Sequence, residues 1–188
     1  SRGLGDVYKR QQYGAVHGVP CVICSTGLSR EDEAALEAAS TRTPIFRSAN
    51  MSVGVNVLIE LARQATRVLS GEFDIEIVEK HHNQKIDAPS GTALMLADAL
   101  ASVRDGETQY MYDRHAQRKK REKSEIGIHS VRGGTIVGEH EVIFAGNNEV
   151  ITLSHSAQSK ELFAVGAVNA AVFMSGKGPG LYDMSALV

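Results

Sequence analysis

The sequence predicts an α/β segment followed by an α+β domain on a mixed, mostly antiparallel sheet. Three observations carry this. Residues 13–50 run strand, helix, strand; Phe73, Ile75 and Ile77 alternate with Asp74 and Glu76; and three strand-like runs follow one another between residues 125 and 157.

The first twelve residues, SRGLGDVYKRQQ, show no periodicity and read as an irregular or non-native end. YGAVHG then suggests the last turn of a helix with Gly18 as its C-cap, and VPCVI a buried strand. Ser29 is placed to cap a helix with Glu31 and Glu33 in its first turn and Ala35, Leu36 and Ala39 on one face. TPIFRSAN supplies a second short strand. Leu58, Leu61, Ala62, Ala65, Val68 and Leu69 recur at helical spacing up to Gly71. Phe73 to Glu79 is a strand with one wet face, GTALMLADALASVR a helix, and the charged stretch 104–125 an exposed loop. Gly146-Asn147-Asn148 marks a hairpin among the three strands that follow, and a helix over Lys160 to Met174 leads into a Gly/Pro tail.

With 188 residues, 43% of them apolar, the chain can bury a core, and its net charge of -2 gives no broad footprint for nucleic acid. The cluster Arg118-Lys119-Lys120-Arg121 reads as a solvated loop. No eighteen-residue apolar run and no signal-peptide layout occur, so no membrane partner and a cytoplasmic location are expected. Cys21 and Cys24 form a C-x-x-C. Three apart on a strand, they point to opposite faces and read as reduced core cysteines rather than half of a zinc site.

The stretch EKHHNQKIDAPSGTAL, residues 79–94, concentrates chemistry. The strand ends near Glu79 and a helix starts near Ser90, so His81 to Pro89 form a connection at a strand's end, where sites are commonly built. Ser90 and Thr92 can cap the helix and Gly91 admits close approach, which makes an anion site with Lys85 as added charge. A histidine beside a lysine is pushed toward its neutral form, and a lysine with lowered pKa is a competent acid. Two readings stand: a proton donor poised over a small carboxylate or phosphate, or a polar loop whose histidines only hydrogen-bond. Adjacent His81 and His82 diverge on an extended chain and do not suit one metal, so no metal site is expected. A Ser90/Lys85 hydrolase lacks both G-x-S-x-G and S-x-x-K.

EIVEKHHNQKIDAPSGTAL closely resembles the signature of the dihydrodipicolinate reductases. VICSTGL resembles that family's strand and Gly-Thr-Thr-Gly loop, SANMSVGVNVL its interdomain linker, VRGGTIVGEHEVIFAGNNEVITLSHSA its substrate-domain sheet and SGKGPGLYDM its closing segment. The resemblance implies NAD(P)H-dependent reduction of a cyclic dicarboxylate, 4-hydroxy-tetrahydrodipicolinate, in the diaminopimelate route to lysine, and a homotetramer. It implies His81 as acid/base and Lys85 as proton donor, with His82, Ser90, Gly91 and Thr92 holding substrate. Cys24, Ser25, Thr26, Ser48, Ala49, Asn50 and Met51 would meet the cofactor, NADH or NADPH. Cys24 stands where the family motif has glycine, and the family's glycine-rich dinucleotide loop does not occur in the sequence. The expected layout is therefore an N-terminally truncated member. A partial Rossmann-like domain occupies residues 13–50, a substrate and tetramerisation domain 51–160, and a returning helix and tail 161–188. An inactive fragment that only binds dicarboxylate and oligomerises is the alternative expectation.

Overall fold

The structure is a computed structural model that describes residues 13–25, 28–69 and 71–187. Two compact units divide the chain, one comprising Ser1–Asn56 with Glu161–Val188 and the other Val57–Lys160. The expectations for residues 1–12 and for Thr26 lie outside the described residues.

In the first unit, Gly18 takes a positive φ of 66° and the Val19 amide donates back to the Gly14 carbonyl at 3.0 Å, which ends the preceding helical turn as the sequence predicts. Strand β1 (Cys21–Ile23) pairs in parallel with β2 (Pro44–Arg47), and β2 with β8 (Gly180–Tyr182). Between β1 and β2 runs helix α1 (Arg30–Ser40), opened by a reciprocal capping box between Ser29 and Asp32. Alternation along the strands sorts the core into two layers. Ile23 and Ile45 pack with Leu36 and Ala39 of α1, while Val22 and Phe46 face Ala170, Met174 and Met184. Helices thus cover both faces of a parallel sheet, the doubly wound arrangement. Strand β8 was hidden in the Gly/Pro tail, because three residues with one apolar side chain show no period.

Helix α4 (Glu161–Phe173) approaches so closely that a Cβ on Gly166 would sit 1.7 Å from the Met51 carbonyl oxygen. Gly166→Ala is expected to cost about 1–3 kcal/mol through this backbone clash, read as a lowered urea midpoint at unchanged slope. An unchanged midpoint would count against the close approach.

The second unit holds a five-stranded sheet of order β4-β5-β3-β6-β7. The strands are β3 (Asp74–His81), β4 (Gln109–Met111), β5 (Glu125–Arg132), β6 (Gly138–Ala145) and β7 (Val150–Ala157). The sheet is mixed, because β3 and β4 pair in parallel with β5 whereas β3–β6 and β6–β7 are antiparallel. Ile75, Ile77, Ile126, Ile128, Val142 and Phe144 form one fully buried face against Leu58 and Ala62 of helix α2 (Val53–Leu69) and Ala93, Leu96, Ala97 and Leu100 of helix α3 (Gly91–Ala101). Leu61 and Val68, placed by spacing on the apolar side of α2, are exposed instead.

Three further expectations change. The stretch 104–125 contains edge strand β4, and Arg121 is not solvated: its guanidinium bonds Asp74, Glu76 and the Ile75 and Glu125 carbonyls, clasping the loop to the sheet. Cys24 lies beyond the end of β1 and is exposed, and Cys21 is only half-buried, so these are not two core cysteines. Strand β3 runs on to His81, which makes that histidine part of the sheet and shortens the connection.

Candidate active site

Strand β3 carries the site on the same face as the core. Ile75 and Ile77 point into the hydrophobic layer, and the next residues on that face are Glu79 and His81. The Glu79 side chain is 0% exposed, and it is ringed by hydrogen-bonding partners. Arg132, opposite His81 in β5, gives two parallel bonds, Nη1 to Oε2 at 2.8 Å and Nη2 to Oε1 at 2.7 Å. Nδ1 of His81 lies 2.5 Å from Oε2, and the Ser90 amide donates to Oε1 at 3.1 Å. Burial alone would raise this carboxyl, but Arg132, His81 and Ser130 outweigh it and hold Glu79 ionised, with a pKa of about 2.

Helix α3 enters with Ser90 as N-cap, its hydroxyl accepting from the Ala93 amide at 3.2 Å and sharing a hydrogen with Nε2 of His140 at 2.9 Å. His140 pairs with Glu79 in the β3–β6 register and its ring meets that of His81 edge-on at 5.2 Å. Burial, reinforced by the charge of His81, pushes His140 down to about 4, so it is neutral at neutral pH. Gly138 makes room for His81, since a Cβ there would stand 3.1 Å from Nε2.

Lys85 is half-buried in the connection and its Nζ bonds both Asp87 oxygens at 2.8 Å. The lysine expected beside the histidines is thus held by a carboxylate. Arg132 reaches this turn as well, through Nη2 to the Asp87 carbonyl at 2.7 Å. One guanidinium therefore ties together Glu79, His81 and the turn bearing Lys85.

The helix start that the sequence offered as an anion site already holds an anion, the chain's own Glu79 at the Ser90 amide. Gly91 is exposed and Thr92 half-buried on the first turn. His82 instead lines a cavity of about 390 Å³ with Asn83, Gln84, Gly134, Thr135, Val137 and Lys160. His81, Lys85, Ser90, Gly91 and Thr92 are not in its wall. The Gly133 amide donates to the His81 carbonyl at 2.9 Å and that of Asn83 to the Gly134 carbonyl at 3.2 Å, so the glycine turn is pinned to the end of β3.

Sequence reasoning missed Glu79, Asp87, Arg132, His140 and Lys160. Only Glu79 carried a signal: a charged residue at the apolar phase of Ile75 and Ile77. The rest are brought by strand pairing and loop closure.

In the first unit, Cys24 and Ser48 follow directly on β1 and β2, whose registered ends Ile23 and Arg47 bring both loops to the carboxyl edge of the parallel sheet. Ligands of open α/β sheets bind at such an edge. Cys24 and Ala49 are exposed there and Ser25 and Ser48 half-buried, so this edge is open to a ligand. Asn50 and Met51 turn inward: the Asn50 side chain accepts from the Ser52 amide at 2.8 Å, and Met51 joins the core. Among the described residues no group of side chains suits a metal ion, and no helix is long and apolar enough to cross a membrane.

A family model described as dihydrodipicolinate reductase, C-terminus, matches residues 54–188, and its N-terminus counterpart matches residues 6–51. A 4-hydroxy-tetrahydrodipicolinate reductase of Caldanaerobacter subterraneus subsp. tengcongensis is 62% identical over 170 residues, 90% of this chain and 67% of that protein. One of Clostridium botulinum is 54% identical, again over 90% and 67%. The chain thus spans about two thirds of the length of the curated relatives it matches. A solved dihydrodipicolinate reductase of Paenisporosarcina sp. TG-14, with dipicolinate bound, superposes with a TM-score of 0.80 at 25% identity, over 98% of this chain and 70% of that one.

Proposed function

The chain belongs to the dihydrodipicolinate reductase family, and from that premise we propose that it reduces 4-hydroxy-tetrahydrodipicolinate to tetrahydrodipicolinate with NADH or NADPH, in diaminopimelate and lysine biosynthesis. The relatives' names favour this over a module that only binds dicarboxylate. The observation that carries the reading is the hydrogen-bonded chain from Lys85 through Asp87, Arg132 and Glu79 to His81, beside a cavity walled by His82, Thr135 and Lys160.

A nicotinamide cofactor supplies the hydride when bound, and Cys24, Ser25, Ser48 and Ala49 are the described residues that would meet it. Reduction also needs a proton, and Lys85 is the group we assign to give it, its ammonium held in the connection by Asp87. His81 exchanges a proton through Nε2. The cavity suits a small dianion: Lys160 offers a charge, Thr135 a hydroxyl and His82 a ring nitrogen to carboxylate oxygens. Ser90, Gly91 and Thr92, at the start of α3, are the further residues we assign to the substrate. We further assign a homotetramer in the cytoplasm, with the second-unit sheet as its assembly surface.

Calorimetric titration with pyridine-2,6-dicarboxylate, a planar analogue of the substrate, tests the reading. Binding is expected, and Lys160→Ala is expected to weaken it about tenfold through loss of one charge-assisted contact, leaving affinity for NADH unchanged. Undiminished dicarboxylate binding by that variant would remove the cavity from the reading.

A further inference from the structure

We propose that Glu79, clamped by Arg132, is a positioning residue for His81: it holds the imidazole as the Nδ1–H tautomer and leaves Nε2 as its one proton-exchanging atom. The inference rests on the assignment of His81 as acid/base and adds to it the group that sets its orientation.

The position is built for apolar packing. Glu79 continues the face of Ile75 and Ile77, fully buried, so an aliphatic residue there would extend the core. A buried ion pair gains little over such packing, because two charges must be desolvated. Its presence therefore calls for a task other than stability. The geometry supplies one. The carboxylate accepts two bonds from Arg132 and one from the Ser90 amide, Ser130 adds to them, and His81 Nδ1 lies 2.5 Å from Oε2. An ionised carboxylate only accepts, so the hydrogen between His81 and Oε2 must sit on Nδ1. Nε2 then holds the lone pair, on the edge of the ring beside Gly138. This is the orienting relation of a carboxylate to a catalytic histidine in hydrolase triads, built on a strand where acid and base lie two residues apart.

The charged and titratable groups facing His81 are consistent with that role. Glu79 touches it, Arg132 stands behind Glu79, and His140 meets it edge-on. Lys85 is engaged by Asp87 and leaves Nδ1 uncontested. Ser90 shares its hydrogen with His140 rather than with His81. Arg132 keeps its charge and so holds the carboxylate in the accepting form at neutral pH.

Glu79→Gln keeps size and shape but removes the charge that fixes the hydrogen on Nδ1, since the amide can turn either its oxygen or its N–H toward the ring. In ¹⁵N NMR of the whole protein, His81 is expected as Nδ1–H in the wild type and with a larger Nε2–H fraction in Glu79→Gln. Turnover should fall ten- to a hundredfold or more, with KM for the dicarboxylate nearly unchanged, and Glu79→Asp should restore part of it. Wild-type turnover in Glu79→Gln, or an Nε2–H His81 in the wild type, overturns the proposal. If Glu79→Gln does not fold, the wild-type spectrum decides, since Nε2–H there is fatal to it. A His81→Ala enzyme with normal turnover would defeat the acid/base assignment instead, leaving the tautomer result intact.

Discussion

Turnover is expected to fall by about two to four powers of ten when His81 or Lys85 is replaced by alanine, the usual worth of a positioned acid or base. Each loss has its own signature. Lys85→Ala removes the ammonium that Asp87 holds by two bonds of 2.8 Å, so the proton must come from water. That variant is expected to lose kcat while retaining affinity for pyridine-2,6-dicarboxylate, because Lys85 does not line the cavity with His82 and Lys160. His81→Ala also leaves Glu79 with one donor fewer in a dry site, so a modest drop in melting temperature accompanies the kinetic loss. The measurement is kcat and KM across pH for both variants in a protein that turns over. Near-normal kcat in both would end the assignment of roles.

Arg132→Ala is the largest stability effect expected, about 3–5 kcal/mol, because it strands a buried carboxylate without its cation. Part of the loss escapes by protonation, so the variant should be least impaired in acid. The wild type should weaken on acidification for two separable reasons. His140 has a folded pKa of about 4 against an ordinary 6.5, so between those values the unfolded chain binds the proton the native state refuses, at a cost approaching about 3 kcal/mol. Glu79, with a folded value of about 2 against 4.5, contributes fully above pH 4.5 and is lost as pH falls toward 2. Denaturant midpoints measured from pH 7 to 3 should therefore fall first through the histidine window. A flat profile between pH 6.5 and 4.5 would mean that His140 is charged or hydrated in the folded protein. An Arg132→Ala protein as stable as wild type at pH 7 would mean that Glu79 is not ionised there.

How much of this was legible depends on whether the signal was local. Caps and periods were: Ser29 and Asp32, Gly18, Ser90 and the alternation of Ile75 and Ile77 act within four residues of themselves. Strand β4 and strand β8 were not, since three residues at a sheet edge have no period to read and form because a neighbour offers hydrogen bonds. In the site, the motif around His81 and Lys85 could be read, but its partners could not. Arg132 lies 53 residues from Glu79 and His140 50 from Ser90, and nothing in the sequence announces that β5 and β6 flank β3. Asp87 was quoted within the motif yet treated as part of a turn. Its side chain instead decides which neighbour Lys85 senses. The C-x-x-C misled because a strand was assumed to reach Cys24, when β1 ends one residue earlier.

Strand β3 is flanked on both sides, in parallel by β5 and antiparallel by β6, and carries Ile75, Ile77, Glu79 and His81 on one face. Slipping its pairing by a single residue would turn Glu76, Val78 and Lys80 inward and send the isoleucines to water. The same slip would dismantle the contacts of Glu79. A chain that threads this strand wrongly therefore forfeits its core and its chemistry together.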